Sequence, residues 1–137
     1  MREETKETIK EIKENKRKRE MADRYFDAIV AIAYSPRVKD FSVGYTYRTA
    51  AHRLREQRRY DKWYNVVTIA EKMTYNDART LEIYLQYRCI EEDRRYVTYT
   101  KYYGPHRMRA YNPGKKSPLH LRDEKIHSIY MMWRETD

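Results

Sequence analysis

The apolar pattern of residues 26–69 predicts a small β-sheet. The run FDAIVAIAY at 26–34 is dense in apolar and β-branched residues, and a turn at Ser35-Pro36 separates it from FSVGYTY at 41–47. A further strand is predicted at 64–69, with the sequence YNVVTI. The first two strands would form a hairpin.

Two helices are predicted between and after these strands. At 48–59 a narrow apolar stripe of two alanines and a leucine lies among five arginines, which indicates a short basic helix. Thr74, with Asp77 three residues later, is a candidate N-cap for a helix that ends near Arg88. The order β, β, α, β, α predicts an α/β fold with a small, mixed, largely antiparallel three-stranded sheet flanked by helices.

Both ends of the chain differ from this central part. Residues 1–22 alternate acids and bases around only two isoleucines, which is typical of a solvated helix or tail. The apolar spacing of 126–133 favours a helix, although HSIYMMW also suits a strand. We therefore divide the chain into a charged helix or tail (1–22), a core (23–93) and a basic aromatic extension (94–137).

Composition points to a polyanionic partner. Only 22 of the 137 residues are Leu, Ile, Val or Phe, so the fifteen tyrosines must supply part of the core. The net charge of +9 favours a polyanionic partner, more often nucleic acid than an anionic membrane. Cys89 is the single cysteine and gives no sign of an oxidising compartment, and neither an apolar span nor a signal peptide is visible. We expect an intracellular protein without a membrane partner.

The extension concentrates this charge. Residues 94–122 contain eight Lys and Arg, no Asp or Glu, and five tyrosines, of which the first ones alternate as in a strand. Cations bind phosphates and planar rings stack on bases, so this segment and the basic helix are candidates for nucleic-acid binding. The candidate residues are Arg48, Arg55, Arg58, Arg59, Lys101, Arg107, Arg109, Lys115 and Lys116.

Two charged residues border apolar stripes and are candidates for chemistry. Glu82 lies beside the stripe of the helix that starts after Thr74, where a carboxylate needs a cation, a metal ion or hydrogen bonds, or else lies at the edge and pairs with an arginine. Arg53 borders the stripe of the basic helix and could bind a phosphate in a fixed geometry. The four histidines lack metal-site spacing and are expected at the surface or against nucleic acid.

These segments resemble the GIY-YIG nuclease domain over about residues 26–90. In that family a strand ends in Gly-Ile-Tyr, the next contains Tyr-Ile-Gly, a following helix supplies an arginine and a later helix supplies a glutamate. The matching segments here are Ile32-Ala33-Tyr34, Ser42-Val43-Gly44, His52-Arg53-Leu54 and Thr80-Leu81-Glu82. Ser42 replaces the second tyrosine of the family pattern.

The resemblance implies a hydrolase, a metal-dependent endonuclease that cleaves phosphodiester bonds in DNA. Its catalytic residues would be Tyr34, Arg53 and Glu82, with Glu82 as the ligand of Mg²⁺ or Mn²⁺. Tyr34 would help to deprotonate the attacking water, and Arg53 would stabilise charge on the phosphate. DNA is favoured over RNA, and a homodimer stays open, since one metal site cuts one strand at a time. The alternatives are a non-catalytic nucleic-acid-binding module on the same scaffold and a protein-interaction or viral accessory protein.

Overall fold

The chain folds into a mixed α/β structure built on one antiparallel sheet. The computed structural model describes residues 3–49, 52, 55, 65–91, 96–102 and 116–136. Its helices are α1 (Glu3–Glu14), α2 (Lys16–Ala33), α3 (Tyr75–Glu91) and the short α4 (Val97–Lys101), with a 3-10 turn at Leu119–Leu121. Its strands are β1 (Val38–Thr46), β2 (Asn65–Met73) and β3 (His127–Glu135). The coarse prediction of a three-stranded antiparallel sheet with helices is confirmed.

One strand of the sheet comes from a different segment than predicted: residues 127–135 supply it, and not residues 26–34. The strand order is β1-β3-β2, so the C-terminal strand lies in the centre and β1 forms an edge. The prediction of a helix at 126–133 is therefore wrong. Every residue from His127 to Met132 is buried, and a strand that is covered on both faces shows no alternation in its sequence by which to tell it from a helix.

Residues 26–33 of the predicted strand at 26–34 form the C-terminal half of α2, and Tyr34 is its C-cap. This helix starts after Asn15, whose side chain accepts a hydrogen bond from the Lys18 N–H. Phe26, Ile29 and Ala33 are buried at helical spacing and pack into the core, so tertiary packing overrides the local preference for a strand. The helix also continues across the predicted boundary between residues 22 and 23.

The N-terminal segment is helical but not merely solvated. Ile9 and Ile12 of α1 are buried, and the guanidinium of Arg79 on α3 bonds both carboxylate oxygens of Glu4, at 3.0 and 3.3 Å. Helix α1 thus packs on α3. Of the two predicted alternatives, helix or tail, the structure has a helix, and its two isoleucines, one turn apart, are buried rather than solvated.

Helix α3 starts as predicted, and the basic segments lie largely outside the described residues. The Thr74 hydroxyl accepts the Asp77 N–H at 3.3 Å, which confirms the predicted N-cap. In the predicted basic helix only residues 48, 49, 52 and 55 are described, and residues 103–115 of the extension lie outside the described part. Where the extension is described, residues 97–101 form α4 rather than a strand, and Tyr96 and Tyr102 flank this helix.

Helices and strands enclose one core. Phe41, Val43 and Tyr45 of β1 lie on the same face as Ile129 and Met131 of β3, and this face packs against α2 and α3. Because side chains alternate along a strand, the intervening residues of β1 lie on the opposite face.

Candidate active site

Tyr34 lies at the C-terminal end of α2 and not on a strand. Its backbone N–H donates to the Val30 carbonyl at 2.9 Å, and its side chain is 73% exposed. Together with Tyr96 and Thr100 it lines an open surface cavity of about 500 Å³. The predicted strand triplet Ile32-Ala33-Tyr34 is therefore the end of a helix.

Glu82 lies in the middle of α3 and covers the free edge of β1. Its side chain is completely buried, and its Oε2 accepts the backbone N–H of Tyr45 at 3.0 Å. One helical turn later, Gln86 Nε2 donates to the Val43 carbonyl at 3.0 Å. An edge strand presents unpaired backbone groups along its length, and these two side chains satisfy two of them. The predicted inward position of Glu82 is confirmed.

Tyr34 and Glu82 lie at opposite ends of β1. The Val38 N–H bonds the Ser35 carbonyl, so Tyr34 lies next to the start of the strand, whereas Glu82 bonds Tyr45 near its end. At about 3.3 Å per strand residue, the steps from Val38 to Tyr45 span roughly 23 Å. The structure therefore does not bring these two predicted catalytic residues together. Arg53 lies outside the described residues.

A different tyrosine lies beside Glu82's end of the strand. Tyr130 of β3 is paired with Gly44 of β1, one residue before Tyr45, and with Thr68 of β2. A Cβ atom at position 44 would lie 2.6 Å from the Tyr130 hydroxyl, so the phenol lies directly over the glycine. Tyr130 was not among the predicted site residues, because its segment was predicted to be a helix. The signal that could have found it is the triplet Ser128-Ile129-Tyr130 in a run that also suits a strand.

Arg79 and Tyr45 interact electrostatically with Glu82. Burial of Arg79 works against its charged form, but its hydrogen bond to Glu4 and the charges of Glu4 and Glu82 raise the pKa of its guanidinium above the ordinary value. Burial, together with Tyr75 and Glu82, raises the pKa of the Tyr45 phenol. Arg79 therefore remains a cation beside the buried carboxylate, and Tyr45 remains a neutral phenol.

His127 is a buried structural residue, contrary to the expected surface or nucleic-acid role. Its Nδ1 lies 3.2 Å from the Met73 carbonyl and 3.0 Å from that of Glu124, and its Nε2 lies 2.8 Å from the Ser117 hydroxyl. Two carbonyls only accept, so Nδ1 carries a proton and donates to them, and Nε2 is hydrogen-bonded to the Ser117 hydroxyl. Both side chains are buried, so this pair holds the segment before β3 onto the sheet.

The predicted nucleic-acid-binding residues have different surroundings. Lys101 donates from Nζ to the carbonyls of Ala33 and Ser35, at 2.7 and 2.9 Å, and thus caps the C-terminus of α2; its partial burial lowers the pKa of its ammonium. Arg48, Arg55 and Lys116 are exposed. The remaining candidates, Arg58, Arg59, Arg107, Arg109 and Lys115, lie outside the described residues.

Metal-binding groups are scarce in the described part of the chain. Among those residues, no group of three or more His, Cys, Asp or Glu is placed to share a metal ion. Glu82 has the hard oxygen donors that Mg²⁺ or Mn²⁺ prefers. Its carboxylate is enclosed in this conformation, so a hydrated cation and a phosphate reach it only when the covering side chains move.

Comparison of the chain with family models, with curated proteins and with solved structures gives no match in any of the three. Among the described helices, none combines the length and the apolar character needed to cross a membrane.

Proposed function

We propose that this protein is a metal-dependent endonuclease that hydrolyses phosphodiester bonds in DNA, with its active centre at the end of β1, where Tyr130 lies over Gly44 and Glu82 accepts the backbone N–H of the next residue, Tyr45. The contact between Gly44 and Tyr130 next to the Glu82 hydrogen bond carries this proposal. Tyr130 takes the role that the sequence assigned to Tyr34.

The pairing of β1 with β3 supports this assignment. The family pattern needs a triplet that ends in tyrosine on one strand and a triplet that ends in glycine on its antiparallel neighbour. Ser128-Ile129-Tyr130 and Ser42-Val43-Gly44 meet this requirement on paired strands, with Tyr130 opposite Gly44. The strand that carries the first triplet comes last in this chain rather than first.

Each residue has a role that its chemistry permits. Glu82 would hold Mg²⁺ or Mn²⁺, and that cation supplies the Lewis acid for phosphodiester hydrolysis. Tyr130 orients the attacking water through its hydroxyl and accepts its proton when a cation favours the phenolate. Arg53 binds the non-bridging oxygens of the scissile phosphate and stabilises their developing charge.

Nicking of supercoiled plasmid in Mg²⁺ and in Mn²⁺ tests the proposal. We expect the wild type to nick, and Glu82→Gln, Tyr130→Phe and Arg53→Ala to lose at least about a hundredfold in rate, the lower end of what one such group contributes. Glu82→Gln retains an oxygen for the Tyr45 N–H, so loss of nicking would report the missing charge rather than unfolding. Nicking that fails in Tyr34→Phe but persists in Tyr130→Phe would refute the assignment of Tyr130.

The second candidate is a non-catalytic nucleic-acid-binding module. The complete burial of Glu82 favours it, because this carboxylate already satisfies the edge of β1, and Ser42 replaces the second tyrosine of the family pattern. This module would bind DNA with an affinity that falls steeply with salt, and would cut it in no metal. If the protein has no affinity for nucleic acid at low salt, both of these candidates are excluded and a protein-interaction module remains.

A further inference from the structure

A basic cavity lies beside the end of β1 that carries the proposed active centre. It measures about 460 Å³ and is lined by three cations from three parts of the chain, Arg48, Lys72 and Lys125. The hydroxyl residues Thr49, Thr68 and Ser128 also line it, and Glu71 contributes one carboxylate. Cations together with hydroxyl donors are the groups that bind phosphate oxygens.

The β2 backbone is distorted where it borders this cavity. Ala70 is paired with Ile129 and Met73 with His127, so β2 has one residue more than β3 between these pairs. Such a bulge re-aims the side chains of the extra residues, and bulges are frequent beside active sites. Glu71 and Lys72 lie within the bulge and line the cavity.

Lys72 adopts a conformation that lysine disfavours. Its φ of 59° makes it the only non-glycine residue with positive φ in the described ranges. The left-handed conformation costs an L-residue other than Gly, Asn or Asp about 1–2 kcal/mol. A glycine would satisfy this backbone without strain, so the structure retains a strained lysine at the position that lines the cavity.

Arg48 lines the same cavity and is held by two contacts of its own. Its Nη1 lies 2.9 Å from His52 Nε2, and its guanidinium lies 5.6 Å from the centre of the Tyr47 ring. These contacts restrict the side chain before any ligand binds, which lowers the entropy lost on binding. The cavity is thus partly preorganised.

We propose that this cavity binds a backbone phosphate of the DNA within about two nucleotides of the scissile one. The inference rests on the proposed function. Ser128, at the cavity, and Tyr130 are two strand residues apart, on the order of 6.6 Å, and phosphates follow each other at about 3.4 Å along the axis of one DNA strand. The cavity therefore holds a phosphate within about two nucleotides of the cleavage position and fixes the strand without reading its sequence.

The test measures binding of a fluorescein-labelled 20-bp duplex by anisotropy, in EDTA and over a range of NaCl concentrations. We expect Lys72→Gly and Lys72→Gln to weaken binding about eightfold at 0.1 M salt and each to lower the salt slope by about one, as loss of one phosphate contact predicts. Lys125→Ala should act in the same direction. Lys39→Ala, which removes an exposed lysine at the other end of β1, is the matched control and should change neither quantity.

The two variants of Lys72 separate binding from folding. Lys72→Gly relieves the strain, so its free energy of unfolding should equal or exceed that of the wild type while its affinity falls. Lys72→Gln keeps the strain and removes only the charge. Affinity that is unchanged in both variants would overturn the proposal, as would an equal loss in Lys39→Ala.

The outcomes also separate this proposal from the nuclease assignment. If the protein binds DNA through Lys72 but does not nick DNA with either metal ion, the phosphate site is supported and the nuclease assignment is refuted. If the protein nicks DNA but the Lys72 and Lys125 variants bind DNA as tightly as the wild type, the nuclease assignment is supported and the phosphate site is refuted. A wild type with no DNA affinity at low salt overturns both.

Discussion

A Cβ atom built on Gly44 would lie 2.6 Å from the hydroxyl oxygen of Tyr130 and 2.8 Å from the ring carbon that bears it. Gly44 does not have positive φ, so backbone conformation is not the reason for the glycine. The reason is space, because the phenol of the neighbouring strand covers this position. Gly44 thus sets where the Tyr130 hydroxyl lies relative to the Glu82 edge of β1.

Gly44→Ala should therefore destabilise the fold and displace the phenol. The added methyl group forces the ring of a buried tyrosine to move, and overpacking of this kind costs about 1–3 kcal/mol. Urea denaturation should show this loss in the free energy of unfolding. Nicking, where it occurs, should fall together with that of Tyr130→Phe.

The double variant Gly44→Ala/Tyr130→Ala checks the cause. Removing the ring removes the clash, so the double variant should lose less free energy of unfolding than the two single variants together. Additive losses would mean that the glycine acts through something other than Tyr130.

The edge of β1 allows the roles of Glu82 and Gln86 to be measured separately from catalysis. Glu82→Ala leaves the buried Tyr45 N–H without this acceptor, and an unsatisfied buried donor costs about 1–3 kcal/mol. Glu82→Gln offers an amide oxygen to the same N–H and should retain most of the stability. Gln86→Ala removes the donor to the Val43 carbonyl and should destabilise less than Glu82→Ala, because an under-satisfied carbonyl is better tolerated.

If Glu82→Ala were as stable as the wild type, Glu82 would not stabilise the fold through its hydrogen bond to the Tyr45 N–H. Guanidinium or urea titrations monitored by far-UV circular dichroism provide the comparison for all three variants.

Local rules predicted the elements whose signals lie in adjacent residues. The Thr74 cap and the strands near 41–47 and 64–69 follow from capping chemistry and β-branched runs, and the structure has them within a few residues. The inward position of Glu82 follows from its place beside an apolar stripe. These features can be predicted without knowing how the rest of the chain packs.

The positions of α2, β3 and Tyr130 depend on packing between segments that are distant in the sequence. Residues 26–33 have the composition of a strand but lie in α2, since Phe26, Ile29 and Ala33 bury one helical face. The central strand β3 comes from the far end of the chain, where burial on both faces removes the alternation. Tyr130 joins the candidate site only through that pairing, which no spacing in the sequence reveals. Assigning Tyr34 instead followed from assuming a hairpin between neighbouring segments.

Helix α1 should contribute measurably to the stability of the whole fold. Ile12 is 3% exposed and belongs to the core, and truncation of a buried isoleucine costs about 2–5 kcal/mol. Ile12→Ala should lower the free energy of unfolding by that amount in urea. Leu119→Ala is the control, because Leu119 is 79% exposed and its truncation should have almost no effect. A solvated, independent α1 would instead make both variants alike.

Tyr45 and Tyr84 should respond in opposite directions to loss of the hydroxyl. In the described part of the chain the buried Tyr45 hydroxyl has no hydrogen-bond partner, so Tyr45→Phe should stabilise the fold by about 1 kcal/mol. The Tyr84 hydroxyl donates to Asp23 at 2.8 Å, so Tyr84→Phe should destabilise by about 1–2 kcal/mol. Urea denaturation at pH 7 measures both.

The same pair predicts how stability changes at alkaline pH. Burial raises the pKa of both phenols, so the folded state keeps these protons more tightly than the unfolded state does. The stabilisation is fully present below the unfolded pKa of about 10 and is lost as the pH rises above it. Tyr45→Phe should make this alkaline decline shallower, and the share due to Tyr84 should remain. An unchanged alkaline decline in Tyr45→Phe would mean that this phenol titrates normally and is hydrated in solution.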